Sequence, residues 1–304
     1  MFKSSLGALA LTLTALAVST MPTAAIAGAP TGEYAQFQYC PYNNAAVQNC
    51  FVSTITSGSF QMGNAQVPIT LPIVLQGGVT RAFLQSPVYD AIGAPTMSPT
   101  ALPVPGGLLG LMNPDPSWPG PLWNLFWNIV NTANGVTATA EPAGQAQAYL
   151  SEALFPDPGI AVVQLPIRVH LQNIFLGDNC YIGSTAHPVM LNLTAGTTSP
   201  PPPNQPITGV VASFNVDTTT NPDGYIINAD NSTLVDNAFA VPAATGCGNT
   251  LLNIPIITPI VQAVITAAVN LKEGLPSAAG KNNASMIGNT TIVATQYVQA
   301  AATP

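Results

Sequence analysis

The sequence predicts a mainly β protein: a single-domain β-sandwich or irregular barrel with two or three accessory α-helices. Short runs in which apolar and polar residues alternate recur along the chain, and clusters of Gly, Pro, Asn and Asp separate them, as is typical of strands joined by turns. Only three short segments have the apolar spacing of a helix. No repeat of fixed period and no long linker divides the chain, so we expect one domain over residues 28–304.

The N-terminal strands are predicted from alternation and from turn residues. Residues 34–40 alternate and predict a strand, and residues 50–56 predict a second one that ends in a turn at Ser57-Gly58. Gly63-Asn64 predicts a tight hairpin because these residues accept positive φ. The run 86–119 is rich in proline and glycine and is expected to be extended, as an edge strand.

Three segments predict helices. Residues 119–131 begin with prolines and then carry apolar residues at helical spacing, and residues 145–154 predict a short amphipathic helix. The apolar segment 251–269 is expected to be helical from Pro259 onward, with Lys272 in the last turn. Its Asn, Gln and Pro residues indicate a buried or docked helix rather than a membrane span.

Residues 161–196 predict two strands around a cysteine loop, and this pair is expected to organise the fold. The odd-numbered residues of 167–171 are apolar and face one way, whereas Arg168 and His170 face the other, because side chains alternate along a strand. Residues 188–194 predict the returning strand. Further β segments are expected at residues 209–216, 224–228, 232–241 and 285–299, the last with a turn at Gly288-Asn289.

The N-terminus predicts export. Residues 1–27 combine a positively charged start, an apolar stretch at 6–18 and small residues at 25–27, which together predict a cleaved signal peptide. The apolar stretch is too short to span a bilayer, so we expect no transmembrane anchor. The remaining chain is therefore expected to be secreted or to lie at the cell surface.

Charged residues are scarce. They make up 6% of the chain, with 5 basic and 12 acidic residues and a net charge of −7, whereas about 25% is usual. Too few Lys and Arg are present to neutralise phosphates, which excludes nucleic-acid binding. A surface covered by uncharged polar groups resists association poorly, so self-association or packing against other envelope components is expected.

The four cysteines predict two disulfides, because an even number in an exported chain favours full pairing. Three pairings are possible, and we expect Cys40–Cys50 and Cys180–Cys247. No CxxC spacing occurs, so neither a metal site nor a cofactor is expected.

Several segments resemble a family of uncharacterised secreted proteins of actinobacteria. The resemblance implies one exported domain and brings no established activity, so it supplies no catalytic residues. The segments that carry it are APTGEYAQFQYCP, GSFQMGNAQVPIT, LPIRVHL, LGDNCYIGS, LNLTAGTTSPPPPNQPITG, NSTLVDNAFAVPAATGCG and LPSAAGKN.

The candidate polar site consists of Arg168, His170, Asp178 and His187. Only the two histidines could serve as the base of a serine hydrolase, and no G-x-S-x-G motif occurs, so catalysis is not favoured. Arg168 is expected to pair with Asp178 or Asp236, and His170 to hydrogen-bond a loop carbonyl.

Calcium is an alternative for a turn-rich region without EF-hand spacing; its candidate ligands are Asp217, Asp223, Asp230 and Asp236.

The candidate apolar ligand surface consists of Trp118, Trp123, Phe126, Trp127 and the helix at 251–269. Aromatic residues at this spacing usually pack in the core, but they also suit a pocket for an apolar ligand.

The favoured function is a non-enzymatic structural or adhesive protein of the cell envelope. The alternatives are an extracellular carrier of a lipid or other apolar ligand, and a hydrolase whose site the sequence hides.

Overall fold

The computed structural model describes residues 28–82, 84–157, 160–217, 226–248 and 258–302. The predicted signal peptide, the turn expected at 220–224 and the first part of the apolar 251–269 segment lie outside these residues. Within them the protein is mainly β, as predicted. Fourteen strands form one continuous series of antiparallel pairs that does not close into a barrel, and four α-helices accompany it.

The strands and helices have the following bounds. The strands are β1 Asn49–Met62, β2 Ala65–Pro68, β3 Ile73–Val79, β4 Ser86–Tyr89, β5 Ala101–Pro103, β6 Thr137–Pro142, β7 Gln147–Ala148, β8 Val163–Gln172, β9 Tyr181–Ile182, β10 Val189–Leu193, β11 Ser213–Asp217, β12 Ile226–Asp236, β13 Ala244–Thr245 and β14 Asn283–Ala294. The α-helices are α1 Gly107–Leu111, α2 Gly120–Ala133, α3 Thr258–Glu273 and α4 Thr295–Ala301, and 3₁₀ helices cover Gly32–Phe37 and Leu150–Ala153.

The strands follow the order β11-β12-β14-β1-β3-β4-β7-β8-β6-β5, with β2 added to β1, β9 and β10 added to β8, and β13 added to β9. The two halves of this series face each other as in a sandwich. Phe60 and Ile73 from one half and Ala140 and Ile167 from the other line the same interior void. The main core therefore lies between the half around β1 and the half around β8.

β8 separates this core from a polar outer face, as its alternation predicts. Ile167, Val169 and Leu171 are buried, whereas Arg168 and His170 are half-buried on the outer side. The predicted returning strand is β10, which pairs with β8. One strand thus supplies both the apolar wall of the core and the candidate polar site.

The hairpin and the two longer helices are confirmed. β1 and β2 pair across Gly63-Asn64, and the helices expected at 119–131 and from Pro259 onward are α2 and α3. None of the helices in the described ranges has the length and hydropathy needed to cross a membrane. The proline-rich run supplies β5, which ends the strand order at one edge, as predicted, but its residues 107–111 form α1 and are not extended.

The turn predicted at Ser57-Gly58 is wrong, because β1 runs through it. A bulge between Ile55 and Ser57 shifts the register against β14, and Gly58 adopts a φ of 127°. A side chain on Gly58 would collide with the carbonyl oxygen of Ser285 in β14. This glycine therefore allows two strands to approach closely and does not reverse the chain.

The strand predicted at 34–40 is also wrong, since a 3₁₀ helix, Gly32–Phe37, replaces it. Tyr34 and Phe37 are three residues apart, so one turn of this helix puts both rings on the same side. There they are buried in a satellite cluster with residues of β14 and α4. Alternation in the sequence did not distinguish this short helix from a strand.

The C-terminal segment 285–299 combines a strand with an unpredicted helix. β14 continues through Gly288 without the predicted turn, because β1 pairs with it on one side and β12 on the other. α4 follows and returns to the N-terminal end, where the Thr31 N–H donates to the Ala301 carbonyl at 3.2 Å. The helix expected at 145–154 is instead β7 and a 3₁₀ turn, so two of the expected helices are present as α2 and α3, and α1 and α4 are additional.

Both expected disulfides are confirmed, Cys40–Cys50 and Cys180–Cys247. The first joins the N-terminal 3₁₀ segment to the start of β1. The second joins the loop before β9 to the segment after β13. Together they tie two loop regions to the sheet.

We expect the longer disulfide to stabilise the fold more. Replacing Cys180 and Cys247 together by Ala should lower the free energy of unfolding by about 4 kcal/mol, because the bridge closes a loop of 67 residues in the unfolded chain. Replacing Cys40 and Cys50, 10 residues apart, should lower it by about 3 kcal/mol. Urea unfolding followed by circular dichroism measures both. A larger loss for the short bridge would contradict the expectation.

Candidate functional site

A polar cluster on the outer face of β8 is built by cross-strand pairing. Glu141 of β6 lies opposite Arg168 in the register. Its carboxylate accepts a hydrogen bond from the Nε of Arg168 at 2.9 Å and forms an ion pair with Nη2 at 2.8 Å. The guanidinium also lies 4.5 Å from the centre of the Tyr181 ring. The sequence predicted that Arg168 pairs with Asp178 or Asp236, and this prediction is wrong. Strand register, not proximity in sequence, selects its partner.

His170 lies between two acceptors. Its Nε2 lies 3.1 Å from the carbonyl oxygen of Asp178, a loop carbonyl as expected, so this nitrogen carries the proton that it donates. Its Nδ1 lies 3.5 Å from a carboxylate oxygen of Glu141, and its ring stacks on Tyr181 with 4.3 Å between centroids. Both nitrogens are directed at groups of the protein, Nε2 at a carbonyl and Nδ1 at a carboxylate, so the described contacts of the ring do not include a serine.

The other two predicted residues do not complete a site here. His187 is exposed in a turn, where its backbone N–H donates to the Ser184 hydroxyl at 3.0 Å, and Asp178 contributes its carbonyl. Glu141 and Tyr181 complete the cluster instead, and no sequence pattern identifies them because their positions depend on strand register. The arrangement holds β6, β8 and β9 together.

The described residues offer no cluster of ligands for the calcium alternative. No three side chains of His, Cys, Asp or Glu gather as metal ligands within the described ranges. Asp236 is buried, and its carboxylate accepts the N–H groups of Asn192 at 2.6 Å and Ala238 at 2.9 Å. Burial raises the pKa of this carboxyl. Asp223 and the side chain of Asp217 lie outside the described residues.

The four aromatic residues considered as a ligand surface divide between the core and a groove. Phe126 is fully buried, and its ring packs edge-to-face on Trp118, with 5.6 Å between centroids. Phe175, which no sequence pattern indicated, contacts both rings. Trp123 and Trp127 are half-buried and pair on α2 at 5.8 Å. Of the four, only Trp118 lines the groove.

This groove, of about 440 Å³, lies between α3 and the loop that joins α1 to α2. Trp118 and Pro119 form one wall, and Val264, Ala268 and Leu271 form the other. Its size falls within the roughly 300–1,000 Å³ of small-molecule sites, which typically combine apolar walls with a few polar groups. The remaining lining residues are Asn113, Asp115, Ser117, Ala267 and Lys272.

α3 is apolar on two faces. Val261, Ile265 and Val269 recur every four residues and are buried in the core. A second apolar row runs along the outer side from Ile260, which is 60% exposed, to Leu271, which is 85% exposed. A helix that is apolar all round is normally buried all round. The outer row therefore leaves apolar surface for another molecule to cover.

The tip of the β1–β2 hairpin caps the C-terminus of α3. Asn64 donates its N–H to the carbonyl of Glu273 at 2.9 Å and its side-chain amide to the carbonyl of Lys272 at 2.8 Å. Gly63, at a φ of 61°, packs against the Glu273 carbonyl so closely that any side chain would collide with it. These contacts fix the end of α3, and with it Leu271 at the groove.

Glu273 is buried at a position where the helix pattern predicts an apolar residue. It follows Val269 by four residues and so continues the buried row, with 2% of its surface exposed. Its Oε2 has no hydrogen-bond partner within the described part of the chain. Burial raises the pKa of this carboxyl to about 7, and the charge on Lys272 offsets the effect only in part.

The interior also contains two small apolar voids between the halves of the sheet. One measures about 50 Å³ and has Ser98 and Thr100 as its polar lining residues. The other measures about 40 Å³ and shares Phe60 and Ile167 with the first. An engineered cavity of roughly 150 Å³ is large enough for benzene. The groove beside α3 is therefore the better candidate site.

We expect stability to fall as the pH rises, with Glu273 as a main cause. The pKa of its carboxyl is about 7 in the folded protein, against 4.5 for an ordinary glutamate. Between these values the folded state holds a proton that the unfolded state has lost. The free energy of unfolding should therefore decrease from below pH 4.5 through pH 7, by at most about 3 kcal/mol.

Urea unfolding of the wild type and of Glu273→Gln, at about pH 5 and about pH 8, measures this effect. The variant should lose most of the difference between the two pH values. Asp236, whose pKa burial also raises, accounts for a remainder of the same sign. Identical pH dependence in the two proteins would exclude Glu273 as the cause.

Comparisons with known proteins add no relative: no protein-family model, curated protein or solved structure matches the chain. Function therefore has to be inferred from the groove, the polar cluster and the surface themselves.

Proposed function

We propose that this protein binds and carries a small apolar or amphipathic molecule outside the cell, in the groove between α3 and the α1–α2 loop. Export is supported by the signal peptide expected at residues 1–27. It is also supported by the two disulfides, which persist in oxidising compartments. The resemblance to secreted proteins of actinobacteria agrees with this location.

The observation that carries the proposal is the exposed apolar row of α3 opposite Trp118. A ligand in the groove covers Leu271, which is 85% exposed, and contacts the edge of the largely buried Trp118 on the other wall, so the apolar surface removed from water is mainly that of α3. Each square ångström so covered contributes about 25 cal/mol. The few polar groups at the rim can fix the ligand's orientation, as in other small-molecule sites.

The hydrolase alternative receives less support. It depends on a histidine base, and both nitrogens of His170 face acceptors within the polar cluster. His187 lies in an exposed turn, and no described hydrogen bond or ion pair joins its imidazole to a serine or a carboxylate. Nucleophilic catalysis requires such a pair.

Binding of N-phenyl-1-naphthylamine, an uncharged apolar fluorophore, tests the proposal. We expect its fluorescence to rise with the wild type, and Leu271→Ser to weaken binding about tenfold, since losing one leucine contact removes about 1.4 kcal/mol. Leu271 is highly exposed, so the melting temperature should not change. Ile92→Ser, at another exposed apolar residue, is the matched control. No fluorescence change with the wild type, or equal losses in both variants, would refute a ligand site in the groove.

The predicted structural or adhesive role at the cell envelope is the second candidate, and one observation favours it. Among the described strands, β11 ends the strand order. Phe214 on this strand is 55% exposed and Phe155 beside it is 75% exposed, at an apolar depression of about 170 Å³. Exposed strand edges with apolar side chains and few charges favour pairing with another chain.

If the second role holds, the wild type should form concentration-dependent oligomers and Phe214→Ser should shift them towards monomer. Loss of one exposed aromatic anchor from an interface weakens association about tenfold or more. Sedimentation velocity over a range of protein concentrations measures this, with Ile92→Ser as the control. A wild type that is monomeric at every concentration would argue against self-association.

A further inference from the structure

We propose that the groove selects amphiphiles with an anionic head group: a carboxylate pairs with Lys272 at the end of α3, and an extended alkyl chain lies on the outer apolar row of the helix. This inference rests on the proposed function of the groove and names the ligand class.

Lys272 is the cation that the groove offers. It is half-buried at the rim beside Leu271. Within the described residues no carboxylate oxygen lies within 4.0 Å of its ammonium, since the ion pairs there join Arg168 and His170 to Glu141. Its charge acts on the neighbouring carboxyl of Glu273 without such a close pair, so in a chain with 12 acidic and 5 basic residues its ammonium can still pair with a ligand. An ammonium next to an apolar wall attracts a carboxylate more strongly than one surrounded by water.

The anion on the opposite rim is already engaged. The carboxylate of Asp115 accepts the backbone N–H of Ser117 at 2.8 Å, and the carbonyl of Asp115 accepts the N–H of Trp118 at 3.0 Å. The backbone hydrogen bond from Ser117, with a second from its hydroxyl, holds the pKa of Asp115 below its usual value. Asp115 thus stabilises the turn that positions Trp118 and keeps its negative charge there, so Lys272 is the cationic hydrogen-bond donor among the residues that line the groove.

The C-terminal end of a helix carries partial negative charge, which disfavours an anion. In this protein the hairpin tip reduces that effect. Asn64 donates one hydrogen bond to the Lys272 carbonyl and another to the Glu273 carbonyl. Two of the carbonyls that carry the negative end of the dipole are therefore satisfied by donors.

The shape of the apolar row indicates the rest of the ligand. From Ile260 to Leu271 the row spans eleven residue steps, or about 16 Å at 1.5 Å per residue. It is narrow, because Val264 and Ala268 between them are small and half-buried. An extended alkyl chain fits a long, narrow strip better than a compact ring system does.

Binding of three probes with a twelve-carbon chain tests the inference: dodecanoate and dodecyltrimethylammonium below their micelle concentrations, and dodecanol below its solubility limit. Displacement of N-phenyl-1-naphthylamine measures their affinities. We expect dodecanoate to bind tightest, and Lys272→Gln to weaken it about tenfold while leaving dodecanol unchanged. Lys272→Arg should retain binding because it keeps the charge. Lys281→Gln, at an exposed lysine outside the groove, is the matched control.

The outcomes separate the inference from the function on which it rests. If dodecanol and dodecanoate bind equally and Lys272→Gln changes neither, the anionic preference is wrong and the apolar groove stands. If the cationic probe binds tightest, the preference is wrong and Asp115 selects the head group. If the protein binds vesicles of anionic lipid but no monomeric probe, a membrane surface covers α3 and the inference is wrong. If no probe and no vesicle binds, the proposed function fails with it.

Discussion

β1 and β14 pair over almost their whole lengths. Every other strand is connected to one of them through a series of paired neighbours. The pairing joins parts of the chain that are distant in sequence: the Thr290 hydroxyl donates to that of Ser53 at 2.9 Å, across 237 positions. β3 extends the sheet from β1, and β12 extends it from β14. Without this pair the sheet would divide into two parts. Such non-local contacts require a long loop to close first, which makes formation of the sheet slow compared with helical folds.

The same frame positions the groove. β1 continues into the hairpin whose tip caps α3, and on the other side the Thr266 hydroxyl donates to the carbonyl of Cys247 at 3.3 Å, next to the longer disulfide. α3 is therefore held at its end and along its side. A helix fixed in this way presents its outer row without further ordering, so a ligand loses less conformational entropy when it binds.

Features that depend on neighbours in sequence could be predicted, and features that depend on distant contacts could not. The count and context of the cysteines indicated their pairing, and alternation placed Arg168 on the outer face of β8. Glu141 could not be identified as its partner, because that requires the register between two strands. Ser57-Gly58 is typical of a turn, yet a glycine is required at position 58 because β14 approaches closely there. The sequence indicates that Trp118 and α3 are apolar, but it does not indicate that they face each other across one groove, which results from tertiary packing.

The hydrogen bond between Thr31 and Ala301 has a consequence for how the molecule can be rebuilt. It puts the first and last described segments side by side on one end of the sheet, so a short peptide linker between them would leave every strand pairing in place. New termini could then be opened in an exposed loop elsewhere. A tether attached at Thr31 or at Ala301 would therefore hold the other of these two residues close to the attachment point.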